Sequence, residues 1–236
     1  MELSKRLRGV IDLMPHFDTI CDVGCDHGYV AITFLEEGIA QHVIAMDVNI
    51  GPLEQAKYNA KLYGLSDKLD FRLSDGLQKI IPGEADAFLC AGMGGKLMVR
   101  IMENSSAVMD AMQGAVLQPQ SELALVRKYV YDIGWHIEQE DMVFEAEKEG
   151  PGKYYPMMYI APGKEEMPSE ISLSYGPKLL ERKHPVLMQF LKFSLGLKKD
   201  LLNRLDKEAT SPQAVTRKEE LLAEIEVIQN ILCERM

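Results

Sequence analysis

Cysteine is scarce in this 236-residue chain, and the four thiols are poorly placed for joint chemistry. Cys21, Cys25, Cys90 and Cys233 give neither paired C-x-x-C knuckles nor a disulfide framework. Three of them fall in apolar strand or turn contexts, where a thiol serves as packing. A reduced, cytoplasmic protein is expected. The five histidines are not spaced with cysteine or acid as metal ligands are, so no metal is expected. No apolar run approaches the roughly 20 residues that cross a bilayer, which leaves no membrane-spanning segment. The opening M-E-L-S-K-R-L-R lacks the apolar core and cleavage site of a secretory signal. Positive charge is also short: 26 Lys and Arg face 36 Asp and Glu, for a net charge of −10. Across the whole chain this argues against a nucleic-acid partner. The glycine pattern G-x-G-x-x-G is missing, and with it a conventional pyrophosphate cradle.

The length suits one domain, or one domain with an appendage, and buries a real core without staples. The pattern is organised around Ile20–Val30, I-C-D-V-G-C-D-H-G-Y-V. Phe17 to Val23 reads as a short buried strand and Tyr29 to Glu36 as a helix. Asp22, Gly24, Asp26 and Gly28 occupy alternate positions between them. Strand, glycine-bearing turn and helix bring a ligand close to the backbone at a helix N-terminus. A carboxylate at the strand's end repels phosphate and attracts an ammonium group or hydroxyls. The turn is a poor pyrophosphate seat and a better one for a cationic, amino-acid-bearing cofactor; a tight turn with no ligand is the alternative. The pattern resembles motif I of class I S-adenosylmethionine-dependent methyltransferases, D/E-x-G-x-G-x-G, with Asp26 in place of the middle glycine.

Two further strands end in acids. His42 to Asp47 is the second, and Asp47 lies 19 positions after Gly28, where doubly wound nucleotide folds place the ribose-binding carboxylate. Val48 and Asn49 follow, and Gly51-Pro52 starts a helix. Lys68 to Leu73 alternates as a third strand ending at Ser74-Asp75-Gly76. That acid and glycine resemble the adenine-reading loop of class I methyltransferases. Three acid-tipped strands in sequence, at Asp22, Asp47 and Asp75, carry the cofactor assignment.

Residues 3 to 14 form a lead-in helix closed by Pro15. It caps the sheet or, through Arg6, adds a cation near the cofactor. Asp86 to Ala91 is a fourth strand, followed by Gly92-Met93-Gly94-Gly95 and a helix over Lys96 to Met102. These glycines allow close approach of a flat substrate or serve helix–strand packing. Gly114 to Leu117, Trp135 to Phe144 and Lys153 to Ile160 complete seven strands, the last two as a hairpin, with Pro156 marking an edge or a bulge. Ala161-Pro162-Gly163 reads as a linker, which divides the chain into residues 1–163 and 164–236. Beyond it, Leu187, Phe190, Leu191, Leu197, Leu201 and Leu205 recur at helical spacing. A second stripe holds Val215, Leu222, Ile225, Ile228 and Leu232, with Ser211 as its N-cap. Two such helices make an antiparallel hairpin: a dimer seam, a clamp on a partner, or a lid. Its first part, Lys178 to Lys207, is locally basic, which reads as a solvated helix face or as an RNA contact.

L-S-K-R-L, D-V-G-C-D-H-G-Y, G-P-L, S-D-G-L, A-G-M-G-G, L-Q-P and G-K-Y-Y occur in that order. Together they resemble the bacterial tRNA (adenine-22-N1)-methyltransferase family over nearly the whole chain. The chain departs from that family's usual residues at Gly28, Asp47, Gln120 and Pro156. The resemblance implies an α/β, Rossmann-like methyltransferase sheet with a C-terminal antiparallel helical hairpin, or coiled coil, that helps hold tRNA. It implies S-adenosylmethionine as cofactor and methylation of an adenine N1; a monomer or weak dimer is expected. Cofactor contacts are then expected from Arg6, Asp22, Gly24, Cys25, His27, Gly28, Asp47, Val48, Asn49, Asp75, Gly76 and Ala91. Gly92, Met93 and Gly94 are expected to floor the target base, Asp26 to accept from its amino group, and Tyr29 to stack on it. Asp26 has a second reading as a helix cap, and Tyr29 as core. Another RNA or a small molecule as methyl acceptor, and a non-catalytic RNA-binding scaffold, are the competing functions.

Overall fold

The computed structural model describes residues 3–147, 150–208 and 212–234. Helix α1 (Lys5–Asp12) starts at Ser4, whose hydroxyl accepts from the Leu7 N–H at 3.3 Å and satisfies one of the unpaired first-turn donors. There follow β1 (Phe17–Val23), α2 (Tyr29–Glu36), β2 (Ala40–Asp47), α3 (Ile50–Leu62), a 3-10 turn (Ser66–Lys68) and β3 (Leu69–Leu73). Next come β4 (Ala87–Met93), α4 (Gly95–Glu103), α5 (Ser106–Met109), β5 (Gly114–Pro119), α6 (Leu123–Asp132), β6 (Trp135–Glu145) and β7 (Lys153–Pro162). The chain ends in α7 (Glu170–Tyr175), α8 (Pro177–Glu181), α9 (Pro185–Glu208) and α10 (Pro212–Glu234). It divides into two compact units, Met1–Lys178 and Leu179–Met236.

In the first unit the seven strands run in the order β3-β2-β1-β4-β5-β7-β6. β1 to β5 are parallel, and β7 is antiparallel to both of its neighbours. Alternate residues along each strand enter opposite cores, as the two-residue period of a strand requires. Ile20, Val43, Ala45, Leu89 and Val116 pack with α1, α2 and α3. Cys21, Ile44, Met46, Phe88 and Leu117 pack with α4, α5 and α6. Strand order reverses between β1 and β4, so the connections leave in opposite directions there. A crevice opens at the carboxyl ends of the strands at such a switch point.

Three expectations are corrected. Pro156 lies on no edge: β7 is internal and β6 forms the edge. The irregularity in that hairpin falls at Ile137/Gln139 of β6, and Pro156 is tolerated because the β5 ladder stops at Met158. Ala161 and Pro162 are not linker but the last residues of β7, opposite His136 and Trp135. Gly92 and Met93 belong to β4, whose register shifts between Ala91 and Met93.

In the second unit, α9 and α10 form a hairpin in which Lys198 pairs with Glu224 across the two helices. Leu187 and Leu191 of α9 are buried, as are Leu221, Ile225, Ile228 and Ile231 of α10. The buried stripe follows the expected one at Leu187, Leu191, Ile225 and Ile228 and departs from it at Leu197, Leu201, Val215 and Leu222, which are exposed. The proposed cap Ser211 lies outside the described residues. Among the described residues no helix is long and apolar enough to cross a membrane.

Candidate active site

The Ile20–Val30 turn is held from two sides. The N–H groups of Gly24 and Cys25 both donate to the Met46 carbonyl of β2, at 2.8 and 2.9 Å, and Gly28 N–H donates to Cys25 O at 2.7 Å. From α3, the buried Asn59 amide donates to the His27 carbonyl at 2.9 Å. Gly24 has φ +77°, and a β-carbon there would overlap the Met93 methyl, which packs the end of β4 against the turn. Gly28 has φ +73°, and a β-carbon would lie 2.9 Å from that of Ala56. It lets α2 and α3 approach and starts α2 without a side-chain cap. Asp26 therefore does not cap α2. It takes a left-handed φ of 49° and projects outward, 3.5 Å from His27 Nε2.

A cavity of about 510 Å³ opens over this turn. It brings together Asp22, Gly24, Cys25, Asp26, His27 and Tyr29 from the β1–α2 segment, and Asp47, Val48 and Asn49 after β2. Asp75 and Gly76 after β3, Ala91, Gly92 and Met93 of β4, and Arg6 of α1 also line it. Two anticipated contacts stand apart. Gly28 packs on α3, and Gly94 caps α4, where a β-carbon would lie 3.3 Å from Ser121 Oγ. The wall also includes Leu7, Val23, Pro52, Ser74, Leu97, Ile101 and Gln120, none of which was among the expected cofactor or base contacts.

Asp22 is the electrostatic centre. It is 4% exposed, and its Oδ2 has no hydrogen-bond partner among the described residues. Burial pushes its carboxyl up to about 7; the Ala31 N–H works against that rise, and the charges of Asp47 and Asp26 add to it. An orphaned, desolvated carboxylate is costly unless a cation completes it. Asp47 is half-buried and accepts from the Asn49 N–H at 2.8 Å, which fixes its position at the cavity wall. Ser74 is buried and donates to Gly76 O at 2.8 Å, shaping the loop that carries the exposed Asp75. Gly76, at φ +61°, has Ile101 against the place a β-carbon would take.

The carboxylates of Asp22, Asp26, Asp47 and Asp75 surround the cavity, with Arg6 as the one guanidinium. Arg6 Nη1 donates to Gln118 Oε1 at 3.2 Å, and the guanidinium lies 5.8 Å from the Tyr155 ring centre. This field repels phosphate and suits a ligand that bears an ammonium group, a carboxylate and vicinal hydroxyls. The residues thus fit S-adenosylmethionine: Asp22 for its ammonium, Arg6 for its carboxylate, Asp47 for its ribose and the Asp75-Gly76 loop for its adenine. Burial raises the Cys21 and Cys90 thiols to about 12 and pushes Cys25 up as well, so these sulfurs pack and do not act as nucleophiles. Among the described residues no cluster of His, Cys, Asp and Glu is arranged to hold a metal ion.

A profile of the family described as "Methyltransferase domain" matches residues 3–158. The tRNA (adenine(22)-N(1))-methyltransferase of Bacillus subtilis is 28% identical over 237 aligned residues, covering 98% of both chains. The crystal structure of the B. subtilis m1A22 tRNA methyltransferase TrmK superposes with a TM-score of 0.81 at 26% identity, over 98% of this chain and 99% of that one. A Streptococcus pneumoniae protein, proposed to be a tRNA (m1A22) methyltransferase and solved with S-adenosyl-L-methionine, gives 0.84 at 27% identity, over 98% and 100%.

Proposed function

The chain belongs to the methyltransferase-domain family, and from that premise we propose that it transfers a methyl group from S-adenosylmethionine to N1 of an adenine in tRNA, at position 22. The observation that carries this reading is the convergence of Asp22, Asp47 and Asp75 on one cavity, with the Asp22 Oδ2 left for a cation. The relatives that cover the whole chain supply the acceptor.

The cofactor supplies an electrophilic methyl on a sulfonium. The adenine N1 lone pair lies in the ring plane and is already nucleophilic, so no base is needed before attack. The N1–carbon bond forms as the carbon–sulfur bond breaks, with its electron pair going to sulfur and the positive charge passing to the adenine ring. Catalysis then rests on alignment. The base leaves its stack to reach the cavity. Gly92 and Met93 form the floor beneath it, with Gly94 shaping the turn behind. Tyr29, 37% exposed at the rim, stacks on the base. Asp26 accepts from the amino group and offsets the growing positive charge.

The first unit carries the chemistry and the helical hairpin of the second holds the tRNA. The exposed Lys192, Lys199 and Arg204 of α9 support that division, since phosphate contacts are made by such side chains. The protein acts in the cytoplasm, as a monomer or weak dimer and without a metal. The test is incubation of unmodified tRNA with labelled S-adenosylmethionine, followed by nucleoside analysis. Labelled N1-methyladenosine is the expected product. Measurable cofactor binding with no label in tRNA would overturn the proposal.

A further inference from the structure

We propose that Gln120 determines which base is methylated, by reading the N6/N7 edge of the target adenine. The inference rests on the adenine-N1 reading above and goes beyond it to the residue that tells adenine from other bases.

At the β4 bulge Gly92, with φ +79°, falls between the paired residues Ala91 and Met93. Its N–H donates to the side chain of Gln118 at 3.1 Å. Gln118 is fully buried, and the same Oε1 accepts from Arg6 Nη1. One amide oxygen thus fixes both the floor of the cavity and the Arg6 guanidinium. Just past the end of β5, the Gln120 N–H donates to Met93 O at 2.8 Å, so its backbone is pinned beside the same bulge. The Gln120 side chain is exposed, lines the cavity, and makes no hydrogen bond among the described residues. A β-carbon placed on Gly92 would lie 3.7 Å from Gln120 Nε2 and 3.3 Å from Arg6 Nη1. An uncommitted amide therefore overlooks the place where the base is to lie.

The reaction decides which edge that amide can take. N1 must face the methyl group, so the edge bearing N1 is spoken for. The N6/N7 edge remains, and a glutamine amide matches it in two bonds, with Nε2 donating to N7 and Oε1 accepting from the N6 amino group. Asp26 then takes the other amino hydrogen, on the N1 side. Guanine presents two acceptors on the corresponding edge, O6 and N7, and the amide oxygen would oppose O6.

The test uses the full chain and tRNA carrying either adenosine or 7-deazaadenosine at the methylated position, with wild type and Gln120→Leu. Wild type is expected to lose about tenfold or more in kcat/KM on the deaza substrate. Gln120→Leu should show a similar loss on adenosine tRNA and little further loss on the deaza substrate, with cofactor affinity and Tm unchanged. Equal wild-type rates on both substrates, or losses that multiply in the variant, would overturn the proposal while leaving the adenine-N1 reading intact. Absence of N1-methyladenosine from wild-type reactions on ordinary tRNA would overturn both.

Discussion

Two carboxylates lie deep in the first unit, and their surroundings are opposite. Glu140 of β6 is fully buried and fully engaged. Arg127 Nε donates to its Oε1 at 2.8 Å, and the Lys178 backbone N–H donates to its Oε2 at 2.9 Å. Arg127 is itself satisfied by the Leu173 and Ser174 carbonyls, at 2.8 and 3.1 Å. Gly176 passes so close that a β-carbon would lie 2.7 Å from Glu140 Oε2. Asp22 is almost as deeply buried but keeps an oxygen with no partner among the described residues, in the field of Asp47 and Asp26. The first acid ties α6, β6 and the segment around α7 together and has nothing left to offer. The second costs the free protein stability; on the proposed function, the cofactor's ammonium group completes it. Completeness of hydrogen bonding separates structural from functional burial here.

The comparison breaks most visibly at Arg127. Arg127→Met leaves Glu140 buried without its cation and is expected to lower unfolding free energy by about 3–5 kcal/mol, measured by urea denaturation. Adding Glu140→Leu should restore much of that loss, because two apolar groups replace the pair. A single variant as stable as wild type would refute the structural role of the pair.

A smaller effect sharpens the comparison on the Asp22 side. Its folded carboxyl, near 7, lies above the ordinary aspartate value, so between about pH 4 and pH 7 the folded state holds a proton that the unfolded state has lost. The Asp22 contribution to stability is then full below pH 4 and declines as pH rises towards 7, by about 1.4 kcal/mol per pH unit, before levelling off. Asp22→Asn should remove that decline and leave the variant more stable than wild type at pH 8, as read from Tm. Parallel pH profiles for the two proteins would show that Asp22 is not the source.

Much of this was legible in residue patterns, for identifiable reasons. β1 and α2 follow the expected boundaries because an apolar run, a glycine turn and an apolar helix leave little choice. The acid tips were readable because parallel strands all end on the same side, so Asp22, Asp47 and Asp75 meet by topology. Other features needed the fold. That β7 inserts between β5 and β6 is a fact of topology, and Pro156 alone could not reveal it. The short helices α7 and α8 are too brief to show a periodic stripe. The expected α10 stripe holds at Ile225 and Ile228 but is one residue off at its neighbours, because apolar residues sit on adjacent positions, Leu221-Leu222 and Ile231-Leu232, and the pattern alone does not choose between them. Gln118, within L-Q-P, and Gln120, a departure from the family's usual residue, were visible in the sequence without a role; only the β4 bulge shows what one amide holds and the other faces.

The most direct measurement is calorimetric titration of wild type and Asp22→Asn with S-adenosylmethionine at pH 6, in buffers of different ionisation enthalpy. Asp22 must ionise to pair with the ammonium group, so binding to wild type is expected to release close to one proton at pH 6 and progressively less above pH 7. Asp22→Asn should release none and bind more weakly by about 2–5 kcal/mol. Equal affinities, with no proton released by wild type, would contradict the claim that the buried acid is kept incomplete for the cofactor.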